Sequence, residues 1–181
     1  ISAPTGSIKK RDTILDPFGR TPEVRLPYSM QIGTGTWDLL PGITYHARVG
    51  DVSWGAQYMA EVRLESENSQ GYAFGDKHTV TGWVAYQFAS WISTSIRAEY
   101  MTQGDIDGFD PEIGGPVQTA NPAFYGGERL DLMGGVNLVV PHGPLKGHRL
   151  AFEAGAPVYQ DLNGPQMQTD WTFIVGWQKA F

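Results

Sequence analysis

Seven times along the chain apolar residues recur at every second position, and that period dominates what the sequence can fold into. Over residues 37–49 one parity reads Trp37, Leu39, Pro41, Ile43, Tyr45, Ala47, Val49, and the other reads Asp38, Leu40, Gly42, Thr44, His46, Arg48. After Gly50-Asp51 the pattern returns as Val52, Trp54, Ala56, Tyr58, Ala60, Val62, Leu64 against Ser53, Gly55, Gln57, Met59, Glu61, Arg63, Glu65. Successive side chains on a strand point to opposite faces, so this pair of runs reads as a β-hairpin. Further runs cover 79–88, 92–101, 129–140, 149–158 and 170–181. A helical stripe at i, i+3, i+4 is lacking, and Gly and Pro interrupt most windows of helix length. The chain is therefore expected to be all-β and antiparallel.

The runs are about 11–14 residues long, with residues 1–4 as the end of an eighth. Ordinary strands have ~5–6 residues, whereas a tilted strand needs ~9–11 to cross a hydrocarbon layer. Connections alternate in length: 50–51, 89–90 and 141–147 are short, and 5–36, 66–76, 104–127 and 160–168 are long and rich in Gly, Pro, Asp and Asn. Short turns at one end and long loops at the other match a bacterial outer-membrane barrel. The expectation is one transmembrane β-barrel domain over residues 1–181, with long extracellular loops at about 5–36 and 104–127. Closure with both termini on the periplasmic side needs an even strand count. Seven runs and a stub imply that Ile1 lies partway up a strand, with the barrel incomplete at its N-terminal side.

A mean hydropathy of -0.28 points instead to a soluble protein, but it averages over both parities. The net charge of -6 argues against nucleic acid as a partner, since phosphate binding needs clustered Lys and Arg. With no cysteine there is no disulfide framework, thiolate site or cysteine nucleophile.

A soluble barrel also alternates, with its apolar side inward. Three features of the polar parity point to a lumen instead. Its basic residues are Arg48, Arg63, Arg97, Arg129 and Arg149, without a mid-strand lysine. Its charges come as near neighbours: Glu61/Arg63, Arg97/Glu99, Arg129/Asp131, Arg149 with Glu153. Much of the rest is Gly, Ala or Ser, which leaves room in an enclosed interior. The apolar parity carries Trp37, Tyr45, Trp54, Tyr86, Tyr100, Trp171 and Trp177 toward strand ends, as interfacial belts against outer-membrane lipid would. The nine charged residues are expected to line the lumen.

Phe181 ends a run with Trp177, Val175, Phe173 and Trp171 at alternate positions. This resembles the C-terminal signal read by the barrel-assembly machinery, although Lys179 replaces an apolar residue. Further stretches carry a family resemblance: Pro4-Thr5-Gly6-Ser7; Leu26-Pro27-Tyr28-Ser29-Met30-Gln31-Ile32-Gly33-Thr34-Gly35-Thr36-Trp37-Asp38 with Leu39-Leu40-Pro41-Gly42; and Gly147-His148-Arg149-Leu150 through Pro157-Val158-Tyr159-Gln160-Asp161-Leu162 to Gly176-Trp177-Gln178. On these residues the chain is similar to a family of outer-membrane transporters grouped with the meta-cleavage pathway of phenol degradation. The resemblance implies passage of small aromatic or hydrophobic solutes, and strands preceding the Pro-Thr-Gly segment.

Other motifs yield less. Gly33-Thr34-Gly35-Thr36 lacks the Gly-Lys-Ser/Thr and the helix of a phosphate loop, so it reads as a turn before a strand. Asp105, Asp107, Gly108 and Asp110 have the early spacing of a calcium loop, but Pro116 stands where the bidentate glutamate belongs and Glu112 lies closer. Asp76 with His78, and Ser66 at the other end of that loop, is the nearest approach to an acid–base pair, and no motif fixes a third group. The expectation is a non-enzymatic channel or transporter without a cofactor. The alternative is a scaffold barrel with a side-chain-filled lumen that binds a partner protein.

Overall fold

In the computed structural model, which describes residues 1–15, 18–115 and 117–179, the alternating runs become strands that pair with their neighbours in sequence. In chain order the strands are β1 (Arg11–Thr13), β2 (Glu23–Arg25), β3 (Asp38–Leu39), β4 (Gly42–Val49), β5 (Val52–Arg63), β6 (Tyr72–Ala73), β7 (Lys77–Ala89), β8 (Ile92–Gln103), β9 (Asp107–Gly108), β10 (Gly127–Val139), β11 (His148–Leu162) and β12 (Thr172–Lys179). Among the described residues there are three one-turn 3-10 segments and no α-helix, so no helix is long and apolar enough to cross a membrane; that says nothing of crossing by strands.

The main sheet runs β12-β11-β10-β8-β7-β5, with β3 and β4 both along the far side of β5, and every pairing is antiparallel. Among the described residues it is an open meander rather than a closed barrel, since β4 pairs β5, β12 pairs β11, and no strand joins the two. The stub at residues 1–4 lies beside the first arm: Ser2 N donates to Asp38 O at 2.8 Å and Asp38 N to Ser2 O at 3.1 Å.

The expected strand at 37–49 is interrupted at Leu40-Pro41, yet its register on β5 is continuous, Leu39 opposing Val62 and Gly42 opposing Met59. Proline has no N–H to donate to the ladder, while its carbonyl still accepts from Ala60 N at 3.0 Å. The run at 149–158 extends to Leu162 through a bulge: Leu130 opposes Tyr159 but Asp131 opposes Pro157, leaving Val158 extra. Again the irregularity adjoins a proline. The bulge turns Val158 and Tyr159 both toward the apolar side, which strict alternation does not allow.

The long connections are structured. Strands β1 and β2 form a hairpin within 5–36, and β6 pairs β9, tying the loop after β5 to the loop after β8. Tyr28, Tyr72, Ile106 and Ile113 are buried together, with Phe74 and Tyr125 against them. Tyr28 meets Tyr72 edge-on at 4.7 Å and Tyr125 at 5.7 Å. Burying each isoleucine contributes about 1.5–3 kcal/mol, so this cap has a small core of its own.

Candidate functional site

Cross-strand partners share a face, so the register assigns each side chain to a side. Arg48, Glu61, Arg63, Arg97, Glu99, Arg129, Asp131, Arg149 and Glu153 all fall on one face. Tyr45, Trp54, Tyr86, Tyr100 and Trp177 fall on the other, with Trp37 and Trp171 exposed just beyond strand starts. Phe181 and Pro116 lie outside the described residues.

Along β7, β8 and β10 the charged face is the sheltered one. Along β10, Asp131, Met133 and Gly135 are buried while the intervening Leu132, Gly134 and Val136 are exposed. Across the sheet Ile96 is 70 % exposed, Val175 69 % and Phe173 65 %, against 0 % for Asp131 and 3 % for Asp38.

Three ion-pair clusters occupy this face. At its centre Arg97 Nε and Nη2 donate to the two oxygens of Glu153 at 2.9 and 2.7 Å, and Nη1 donates to Glu99 Oε2 at 2.6 Å. Two parallel charge-assisted bonds make this the most constrained contact of the face. It crosses β10, where Gly135 separates Ser95 from Glu153. Nearer the long loops, Arg129 Nε donates to Asp131 Oδ2 at 2.8 Å and its Nη1 to Thr169 at 3.0 Å. The buried Asp131 Oδ1 has no hydrogen-bond partner among the described residues. Third, Arg63 Nη1 meets Asp38 Oδ2 at 2.9 Å, with Glu61 at 3.5 Å.

Asp38 and Trp83 lie outside the nine residues expected to line the lumen. Thr36 Oγ1 donates to Asp38 Oδ1 at 2.7 Å and Thr34 Oγ1 to Oδ2 at 3.0 Å, so the Gly-Thr-Gly-Thr turn serves to orient the carboxylate that receives Arg63. Gly35 has φ +77°, and a Cβ there would stand 2.7 Å from Ile8 Cδ1. Trp83 belongs to the charged face opposite Gly55, where a Cβ would come 2.3 Å from its Cζ2. The signal for Trp83 was present as an aromatic facing a cross-strand glycine; that for Asp38 was its polar parity.

Two of the three loop carboxylates with calcium-like spacing, Asp105 and Asp110, have other partners. Asp110 is buried against Arg25 at 3.1 Å, and Asp105 accepts from Gly126 N and Asn163 Nδ2, both at 2.9 Å. Among the described residues no group of three or more His, Cys, Asp or Glu side chains is placed to hold a metal. Asp76 accepts from Arg63 N at 2.8 Å, whereas His78 Nδ1 meets Tyr58 OH at 2.8 Å, so this acid and this imidazole are engaged elsewhere. In the loop cap, the Arg25 guanidinium, aided by Arg11, holds Glu112 below the usual carboxylate range, and burial pushes Tyr28 and Tyr72 up.

No protein-family model matches the chain, and no curated protein does.

Proposed function

We propose that the sheet is a sector of the wall of an outer-membrane β-barrel, apolar face against lipid and charged face toward a lumen that passes small molecules. The observation that carries this reading is the inverted burial along β10, with Asp131 covered and Leu132 and Val136 bare. In water the exposed face would be a contiguous apolar patch far beyond the few hundred Å² usual for a soluble monomer. A hydrocarbon layer covers it without cost, and the strands have the length to cross one. Among the described residues the outer edges of β4 and β12 have no full strand beside them, and a spanning sheet requires both to be paired.

The lumen performs no chemistry on the solute; its alternating charges screen what passes. The likeness to outer-membrane transporters grouped with phenol degradation supports the same assignment, with small aromatic or hydrophobic solutes. Insertion proceeds through the barrel-assembly machinery. One observation favours a scaffold instead: Arg97–Glu153 reaches across a strand and would fill a narrow lumen. Planar-bilayer recording tests both readings. A steady ohmic current altered by Arg97→Ala is expected of the channel; a protein that inserts without current is the filled scaffold, and one that stays soluble without detergent overturns the barrel.

A further inference from the structure

The five arginines of the charged face fall into two groups. Arg63, Arg97 and Arg129 each hold a carboxylate. Arg48 and Arg149, at the end of the sheet with the short turns, hold neutral oxygens. Arg48 Nη2 donates to Gln87 Oε1 at 2.5 Å and its Nε to Gly50 O at 2.9 Å. Arg149 Nε and Nη2 donate to Asn137 Oδ1 at 3.1 and 2.5 Å, and Nη1 donates to Gln178 Oε1 at 3.3 Å. Among the described residues neither makes a salt bridge. An amide oxygen orients a guanidinium without cancelling its charge, so both remain net cations.

Beside Arg149 lies a hollow of about 290 Å³. Its floor is small, formed by Gly135, Ala151 and Gly176; Ile174 gives it an apolar wall, and Arg97 with Glu153 bounds it on the side toward the long loops. Arg97 is already neutralised by Glu153 and Glu99, which leaves Arg149 as the cation of this hollow with charge to offer. We propose that the hollow binds a small organic monocarboxylate. Its carboxylate replaces an amide oxygen on Arg149, and its hydrocarbon body lies over the small floor against Ile174. The exchange is favourable because a carboxylate adds the attraction of opposite charges, and a matching pair of acceptors, to the hydrogen bonds that an amide oxygen already accepts from the guanidinium. The volume suits one ring and its carboxylate, given that a cavity of ~150 Å³ takes benzene. Glu153 disfavours a second negative charge, hence the restriction to monoanions.

This rests on the reading of the charged face as a lumen. The test uses the full chain in lipid nanodiscs, titrated calorimetrically with cyclohexanecarboxylate and with cyclohexylmethanol as neutral counterpart. The acid binds about tenfold more tightly than the alcohol, and Arg149→Gln removes that difference. Gly176→Val keeps the guanidinium but fills the floor; a Cβ there meets Ala151 Cβ at 3.8 Å, so the backbone accepts it, and it weakens acid binding as well. Equal affinity for acid and alcohol, or unchanged acid binding in Arg149→Gln, overturns the site. If Arg149→Gln does not fold by circular dichroism, wild-type acid binding in Gly176→Val overturns it. Solute uptake by liposomes separates the two proposals. Acid binding without uptake removes the channel and leaves the site; uptake of neutral solute without acid binding does the reverse.

Discussion

Arg97 holds both carboxylate oxygens of Glu153 from two strands away, across Gly135 on the intervening β10. Both side chains are about four-fifths covered, so losing Arg97 strands Glu153, and losing Glu153 leaves Arg97 with Glu99 alone. Glu153→Gln should lower stability by about 1–3 kcal/mol in urea unfolding from detergent micelles. The double change Arg97→Met with Glu153→Met should cost less than the sum of the two single changes, because Glu153 and Arg97 no longer strand each other, while Glu99 loses its own partner in either background. A double variant as unstable as the sum of the singles would show that the pair is not coupled.

Trp83 lies over Gly55 as closely as a missing side chain allows. Gly55→Ala should cost about 1–3 kcal/mol through overpacking. Adding Trp83→Ala should relieve only part, since the new Cβ would still stand 2.6 Å from the Tyr45 carbonyl oxygen. A double-mutant cycle in the same unfolding assay measures the share that belongs to the ring.

Thr36 is fully buried with its hydroxyl on Asp38, and valine has nearly its shape without the donor. Thr36→Val should destabilise the turn at 33–38 by about 1–3 kcal/mol. Limited proteolysis should then cleave within 5–36 faster than in wild type, while the Arg97 cluster stays intact.

The loop cap should loosen at both extremes of pH. Glu112 is held below the usual range by Arg25 and then Arg11, so its contribution is full above the ordinary glutamate pKa of about 4.3 and fades as pH falls through its own lower value. Burial raises Tyr28 and Tyr72, so their contribution is full below about 10 and is lost as pH rises beyond it. Hydrogen exchange at loop amides such as Asp110, which donates to Tyr28 OH, should accelerate at both ends while β8 and β10 stay protected.

The strands and their two faces were legible because burial on one side of a long ladder imposes a strict period of two. Side chains as distant as Arg48 and Arg149 were thus assigned to one face from parity alone. The exceptions are local: Pro41 interrupts a ladder without changing its register, and the bulge beside Pro157 lets Val158 and Tyr159 share a side. The cap was not legible. Its core joins Tyr28, Tyr72 and Ile113 from three loops, and its buried ion pair joins Arg25 to Asp110. Contacts between segments so far apart leave no periodic trace, which is why Asp110 looked like a calcium ligand. The same holds for Arg97 with Glu153, where proximity was suggested for each with other partners.

The two faces can be separated directly, because a chain without native cysteine accepts single nitroxide labels. Ser95→Cys and Ile96→Cys place the probe at adjacent residues of β8 on opposite faces. In lipid vesicles, spin relaxation at 96 should respond to dissolved oxygen and not to an aqueous nickel chelate, and 95 should show the opposite. A label at 96 that collides freely with the chelate would contradict the lipid-facing wall.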